Sequence, residues 1–273
     1  MDNIGCIAAP TLTAMASFAR FLHLPRLQRL AASLRQLGWR DSAWLALARL
    51  LAAVPGGRCA LYRYQFVAQA VAPGSLCRGR GRSITVTPCL AEADLPPGPE
   101  RRPGALRERY SQGAQCLVAR SQQDAEKDGM AGWIWLLRHG CQEDEVRARY
   151  ALASNQSSWD LDVWVHPAQR GGLVFARLWE EANAVLYAQG VRWSCSRISR
   201  FNRASLSAHA RLGTHALGTA TFLRCGRWQW MVASLPPYLH LSRRPDDIPC
   251  LAFDTSRLPH YPSLELTCRI LKQ

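Results

Sequence analysis

Val165-His166-Pro167-Ala168-Gln169-Arg170-Gly171-Gly172 ends a strand-patterned run and opens a helix-patterned one, and the fold reads outward from it. Upstream, Trp159 to His166 alternates. Trp159, Leu161, Val163 and Val165 fall on one face and Asp160, Asp162, Trp164 and His166 on the other, the period of a half-buried strand. Downstream, the pattern predicts a helix over Gly172 to Gln189 ended by Gly190, a strand over Val191 to Ile198, and a helix over Asn202 to Leu212 ended by Gly213. A helix N-terminus offers unpaired N–H groups carrying partial positive charge. Glycines let a phosphate come close, and Arg170 adds a forked cationic donor. The stretch therefore suits a pyrophosphate.

Around this unit the apolar pattern keeps changing between strand and helix periods. Strands are expected at Ile84 to Leu90, Gln115 to Ser121, Gly132 to Arg138 and Val146 to Leu152, with a helix at Ala105 to Gln112. A proline-rich loop covers Pro96 to Pro103, a polar hairpin Gln122 to Gly129, and a long hairpin Ala216 to Ala233. The run Trp133 to Leu137 is apolar at every position, as in a strand buried on both faces. The fold class is α/β, a mixed sheet flanked by helices.

The N-terminal part reads as a helical extension. One short helix spans Met15 to Leu22, and a second, Arg26 to Leu37, sets Leu27, Leu30, Leu34 and Leu37 at helical spacing. Asp41 or Ser42 can cap a third that runs to Val54 and stops at Pro55-Gly56-Gly57. Such apolar stripes suit a core or a subunit contact, the second of which would make a homo-oligomer. A strand, Cys59 to Val71, and the Gly/Arg loop Cys77 to Arg82 follow, and prolines from Leu235 onward make an irregular tail. The division is 1–57 helical extension, 58–82 strand and linker, 83–234 main domain and 235–273 tail.

The formal net charge of +14 invites a polyanion, but Lys127 and Lys272 are the only lysines, and the excess is arginine. A GC-rich coding bias gives that pattern without a nucleic-acid partner. The ten cysteines stand apart with no C-x-x-C pair, so neither a zinc site nor a disulfide framework is expected. Reduced thiols in a cytoplasm fit better. No stretch approaches the length of apolar sequence that spans a membrane.

A second motif gives the first its meaning. Asn202-x-x-Ser205-x-x-x-His209-x-x-Leu212-Gly213 follows the loop after one helix and one strand. Together the two resemble the acyl-CoA signature of the GNAT (Gcn5-related N-acetyltransferase) superfamily: a V-x-P-x-x-R-G-x-G loop opening a helix, then N-x-x-A/S-x-x-x-Y-x-x-L-G. The resemblance covers about residues 83 to 233 and is sharp from 159 to 213. It implies a GNAT-like sheet, acetyl-CoA or another acyl-CoA as co-substrate, and direct acyl transfer to a small-molecule or peptide amine acceptor.

The resemblance also implies site residues. Backbone groups of Val163, Trp164 and Val165 would pair with pantetheine and polarise the acyl carbonyl. Gln169, Arg170, Gly171, Gly172, Leu173 and Val174 would surround the pyrophosphate, with Asn202 and Ser205 alongside. The family's later glycines fall at Leu173 and Phe175 counted from Arg170, and at Gly172 and Val174 counted from Gln169; both registers stay open. His209 stands where the family has the tyrosine that protonates the departing thiolate, and imidazole exchanges protons near neutral pH. Asp162 is the candidate base for the incoming amine. Glu143, Asp144 and Glu145 read as a solvated turn able to attract a cation. Two other readings use the same residues: a FemABX-like aminoacyltransferase, and a non-catalytic binding protein with a degenerate CoA pocket.

Overall fold

The structure, a computed structural model, describes residues 37–91, 95, 104–121 and 129–259. The expected helix at 15–22, that at 26–37 but for Leu37, the loop at 96–103 and all but the last residue of the polar hairpin lie outside the described residues. Strands β1 (Cys59–Ala70), β2 (Ile84–Cys89), β3 (Gln115–Ser121), β4 (Met130–Leu137), β7 (Ser157–Val165), β8 (Trp193–Ser199), β9 (His215–Cys225), β10 (Trp228–Ala233) and β11 (Leu239–Ser242) form one sheet. Its order is β11-β10-β9-β1-β8-β7-β4-β3-β2. Every pairing is antiparallel except β7 with β8, which run parallel. The remaining strands, β5 (Cys141–Gln142), β6 (Arg149–Leu152) and β12 (Cys250–Phe253), make a small second sheet.

Helix α3 (Val174–Ala188) covers one face of the large sheet. Val174, Leu178, Trp179, Ala182 and Leu186 recur along one side of it and bury against Leu117, Ala119, Ile134 and Leu136. Gly132 lets the helix come close, since a methyl there would stand 2.5 Å from the Trp164 carbonyl oxygen and 3.2 Å from Leu178 and Val174. At its end, Gly190 takes φ +81°. The Gly190 N–H donates to Tyr187 O (3.0 Å) and the Val191 N–H to Leu186 O (3.0 Å), a Schellman closure sealed by the two buried side chains Leu186 and Val191. The opposite face carries an aromatic core, in which Phe66, Trp133, Trp135 and Trp159 pack against Tyr150 and Phe253 of the small sheet. Helix α2 (Ala105–Ser111) adds Leu106 and Tyr110 to that layer.

Three features depart from the sequence-based expectation. β1, assigned to a segment ahead of the main domain, lies inside the sheet between β8 and β9. Its alternation marks it as a strand but carries no information about its partner. The proline-bearing tail contributes β11 and β12, which occupy a sheet edge where missing donors are tolerated. Residues 37–52 form a helix, α1, so Asp41 lies within it instead of capping it. Its carboxylate bridges Arg63 of β1 (2.7 Å) and Arg200 (3.2 Å), fastening the helix to the sheet.

Candidate active site

The parallel pair β7–β8 is joined only from Ser157 to Asp160, opposite Trp193 to Ser196. Beyond Asp160 the strands part, and β7 runs on to Val165 with no strand on that edge among the described residues. A cleft of about 230 Å³ fills the fork, and Asp160, Val163, Asn202, Ser205 and His209 line it. A second cleft of about 320 Å³ opens on the other side of β7, against α2 and the turn after β5. Leu161, Asp162, Glu145 and Arg197 belong to both, so the clefts meet across the middle of β7.

The strict alternation expected for β7 is broken there. Asp162 faces Trp135 and Asp160 faces Leu136 on β4, so Leu161 is an extra residue, a β-bulge. Past the bulge the faces exchange. Asp162 and Trp164 join the aromatic side, with Trp164 stacked on Trp133 at 4.3 Å. Val163 and Val165 pack toward α3. Asp160 and Asp162, expected on one face, thus stand on opposite ones.

Of the predicted phosphate-loop residues, Pro167–Gln169 form a single 3₁₀ turn, stabilised by His166 Nδ1 accepting the Ala168 N–H (3.3 Å). Arg170 folds back, its Nε donating to Val165 O at 3.1 Å. Gly171 takes φ +81°, which favours glycine, whereas Gly172 has an ordinary φ. Leu173 is the N-cap of α3 and supplies no side-chain cap, and no acidic residue stands in the first turn. The first helical N–H groups are left to an external acceptor. Val174 is fully buried and Leu173 and Phe175 partly so, all three packed into the α3–sheet layer. The loop Cys77 to Arg82 comes alongside: a methyl on Gly81 would lie 3.3 Å from Leu173. Glu180 pins this loop by accepting from the Cys77 N–H (3.0 Å) and the Ser75 hydroxyl (2.8 Å).

Helix α4 (Arg203–Arg211) starts where the Asn202 side chain accepts the Ser205 N–H at 3.0 Å. Asn202 thus caps the helix at the rim of the fork cleft. His209 is buried on this helix, its ring edge-on to Phe175 (5.4 Å) and Trp179 (6.0 Å). Its Nδ1 lies 2.9 Å from Ser205 O. Its Nε2 lies 3.6 Å from Asp160 Oδ2, which accepts the Ser196 hydroxyl at 2.9 Å.

Asp162 is tied down. Its Oδ2 accepts from Arg109 (3.0 Å) and from the Trp133 indole N–H (3.1 Å). The acidic turn is not simply solvated, because Glu143 is buried and pairs with Arg197 at 3.0 Å. Burial pushes the Glu143 carboxyl up to about 7 against the pull of Arg197. Glu145 also binds Arg197 and accepts from the Tyr64 hydroxyl at 2.8 Å, while Arg197 lies over the Tyr64 ring at 4.5 Å. Tyr64, Arg109, Ser196 and Arg197 lie outside the sequence-based expectation. A charged Arg197 inside the buried run Trp193 to Ile198 was the one available signal.

No protein-family model and no curated protein matches the chain. Among solved structures it is similar to a functionally unknown conserved protein from Staphylococcus epidermidis, at 11% identity and TM-score 0.42, over 65% of this chain and 67% of that one. It is also similar to a tandem GNAT protein from the clavulanic acid biosynthesis pathway, at 14% identity and TM-score 0.37, over 64% of this chain and 55% of that one. A GCN5-related N-acetyltransferase from Sphaerobacter thermophilus aligns at 19% identity and TM-score 0.37, over 68% of this chain and 57% of that one. The neighbours include GNAT acetyltransferases. The chain spans little more than half the length of the last two proteins. No helix among the described residues is long and apolar enough to cross a membrane.

Proposed function

We propose that the protein is an acyl-CoA-dependent N-acyltransferase that moves an acyl group, acetyl in the simplest case, directly to an amine. The observation that carries this reading is the fork of β7 and β8, whose two clefts meet at Leu161-Asp162. A thioester in the fork would reach an acceptor in the second cleft across that point. The edge of β7 from Leu161 to Val165, apart from the Val165 carbonyl that Arg170 occupies, supplies backbone groups for a pantetheine and an acyl oxygen. The uncapped start of α3, with Arg170 and the Cys77 to Arg82 loop near it, suits the donor's phosphates.

Charge supports an amine acceptor. In a chain of net charge +14, the second cleft sets the carboxylates Glu108, Asp144, Glu145 and Asp162, with a partly protonated Glu143, against Arg109 and Arg197. Such a lining attracts an ammonium and repels anions. The Trp164 and Trp133 rings add a flat apolar wall. In the reaction one ammonium proton leaves through the carboxylates, the amine nitrogen bonds to the acyl carbon, the carbon–sulfur bond breaks and the thiolate takes a proton from His209; the second nitrogen proton leaves to solvent as the amide forms, and His209 regains one from solvent. No covalent enzyme intermediate is needed.

Thermal unfolding with acetyl-CoA, with CoA and with inorganic pyrophosphate at matched ionic strength tests this. A ligand at a hundred times its dissociation constant stabilises by about 2.7 kcal/mol. The expected result is a clear rise in Tm with acetyl-CoA and CoA and a much smaller one with pyrophosphate. Equal shifts with all three, or none, would overturn the reading.

A further inference from the structure

His209 Nδ1 sits 2.9 Å from the carbonyl oxygen of Ser205, which only accepts, and 3.4 Å from the Ser205 hydroxyl, which can donate or accept; the shorter contact places a hydrogen on Nδ1. In a neutral ring Nε2 would then be a bare lone pair. It faces Asp160 Oδ2 at 3.6 Å, and both side chains are about 95% buried, with exposures of 4% and 5%. Two facing acceptors in a dry site repel. The contradiction is sharper because His209 Nε2 and Asp160 Oδ1 have no hydrogen-bond partner, although both residues line the fork cleft. One extra proton on Nε2 removes the conflict, leaving an imidazolium beside the carboxylate.

We propose that Asp160 and His209 hold one proton as a unit, with Asp160 the positioning residue that keeps imidazole Nε2 ready to deliver it into the fork. This rests on the acyltransferase reading for its destination, the sulfur of the departing thiolate. The 3.6 Å separation exceeds a hydrogen bond, so the proton is not locked between the two groups. The Ser196 hydroxyl holds the carboxylate, and Phe175 and Trp179 hold the ring plane. When the carbon–sulfur bond breaks, the sulfur keeps the electron pair and takes the proton from Nε2. The pair is left as imidazole beside carboxylate, an arrangement that draws a proton back from solvent. The other ionisable groups lining the fork are engaged elsewhere: Tyr64, Glu145 and Arg197 bind one another, and Asp162 faces Arg109. The α3 residues against the ring, Phe175 and Trp179, carry no charge.

Nitrogen-15 spectra of histidine-labelled protein at pH 7.5, without ligand, test the pair directly. Wild type and Asp160→Glu should show both Nδ1 and Nε2 protonated, while Asp160→Asn should show Nε2 as a bare lone pair. Acetyl-CoA should then shift the His209 signals in wild type. A bare Nε2 in wild type, or a spectrum unchanged by Asp160→Asn, would overturn the pairing even if acetyl-CoA binds. A normal pair that bound acetyl-CoA leaves untouched would overturn the destination of the proton, whereas an acetyl-CoA that raises no Tm would overturn the acyltransferase reading itself.

Discussion

Asp160 and Asp162, two positions apart on β7, point to opposite sides of the sheet: Asp160 toward His209 on α4, Asp162 toward Arg109 on α2. A regular strand would put residues i and i+2 on one face. The bulge at Leu161 separates them, so that Asp160 lines only the fork cleft whereas Asp162 stands where the two clefts meet. The two acids accordingly have separable effects.

Asp162→Asn removes the charge that Arg109 and the Trp133 indole hold at the junction of the clefts. Charge-assisted hydrogen bonds are worth about 1.5–3 kcal/mol. The KM for the amine should rise roughly tenfold or more, while acetyl-CoA binding measured by calorimetry stays unchanged. An equal loss of acetyl-CoA affinity would place Asp162 in the donor site instead.

Glu143 makes stability depend on pH. Burial raises its carboxyl from 4.5 to about 7, so the folded protein holds a proton that the unfolded chain has released. Stability from this group is therefore full below about pH 4.5 and falls as pH rises toward 7. Urea midpoints of Glu143→Gln relative to wild type should improve across that window and level off above it. A difference that does not vary with pH would contradict the assignment.

Gly132→Ala would place a methyl 2.5 Å from the Trp164 carbonyl oxygen, against backbone that cannot yield easily. Overpacking of this kind costs about 1–3 kcal/mol. Calorimetry should show a lowered Tm, and acetyl-CoA affinity should fall as well because α3 and β7 are pushed apart.

Asp41→Ala would strand Arg63 and Arg200 together. Burial and the neighbouring Arg200 already push the Arg63 guanidinium below its ordinary value, and Asp41 opposes them. Loss of the shared carboxylate should cost about 1–3 kcal/mol, read as a lower urea midpoint. Asp41→Asn should recover part of the loss by keeping hydrogen-bond acceptance. Amide exchange in residues 37–52 should accelerate in Asp41→Ala.

Local pattern was sufficient for most elements. The strand at Gln115 to Ser121 has the expected ends, and α3 and α4 lie within a residue or two of the expected ones, because period, caps and the glycines at 190 and 213 act over a few residues. The loop from Val165 to Gly172 and its junction with a helix were legible for the same reason. So was the spacing that puts His209 on one turn series with Asn202 and Ser205.

Only the tertiary structure decided the rest. β1 shows its strand character in Tyr62, Tyr64 and Phe66, but its place between β8 and β9 depends on partners more than a hundred residues away. The bulge at Leu161 is invisible in β7 itself, since it is defined by the register of β4 across from it. Arg197 with Glu143, and Asp160 with His209, meet through the sheet and the helix packed on it. Alternation records which residues share a face of a perfect strand, and charge pairing in a buried site is settled by distances that only the closed fold creates.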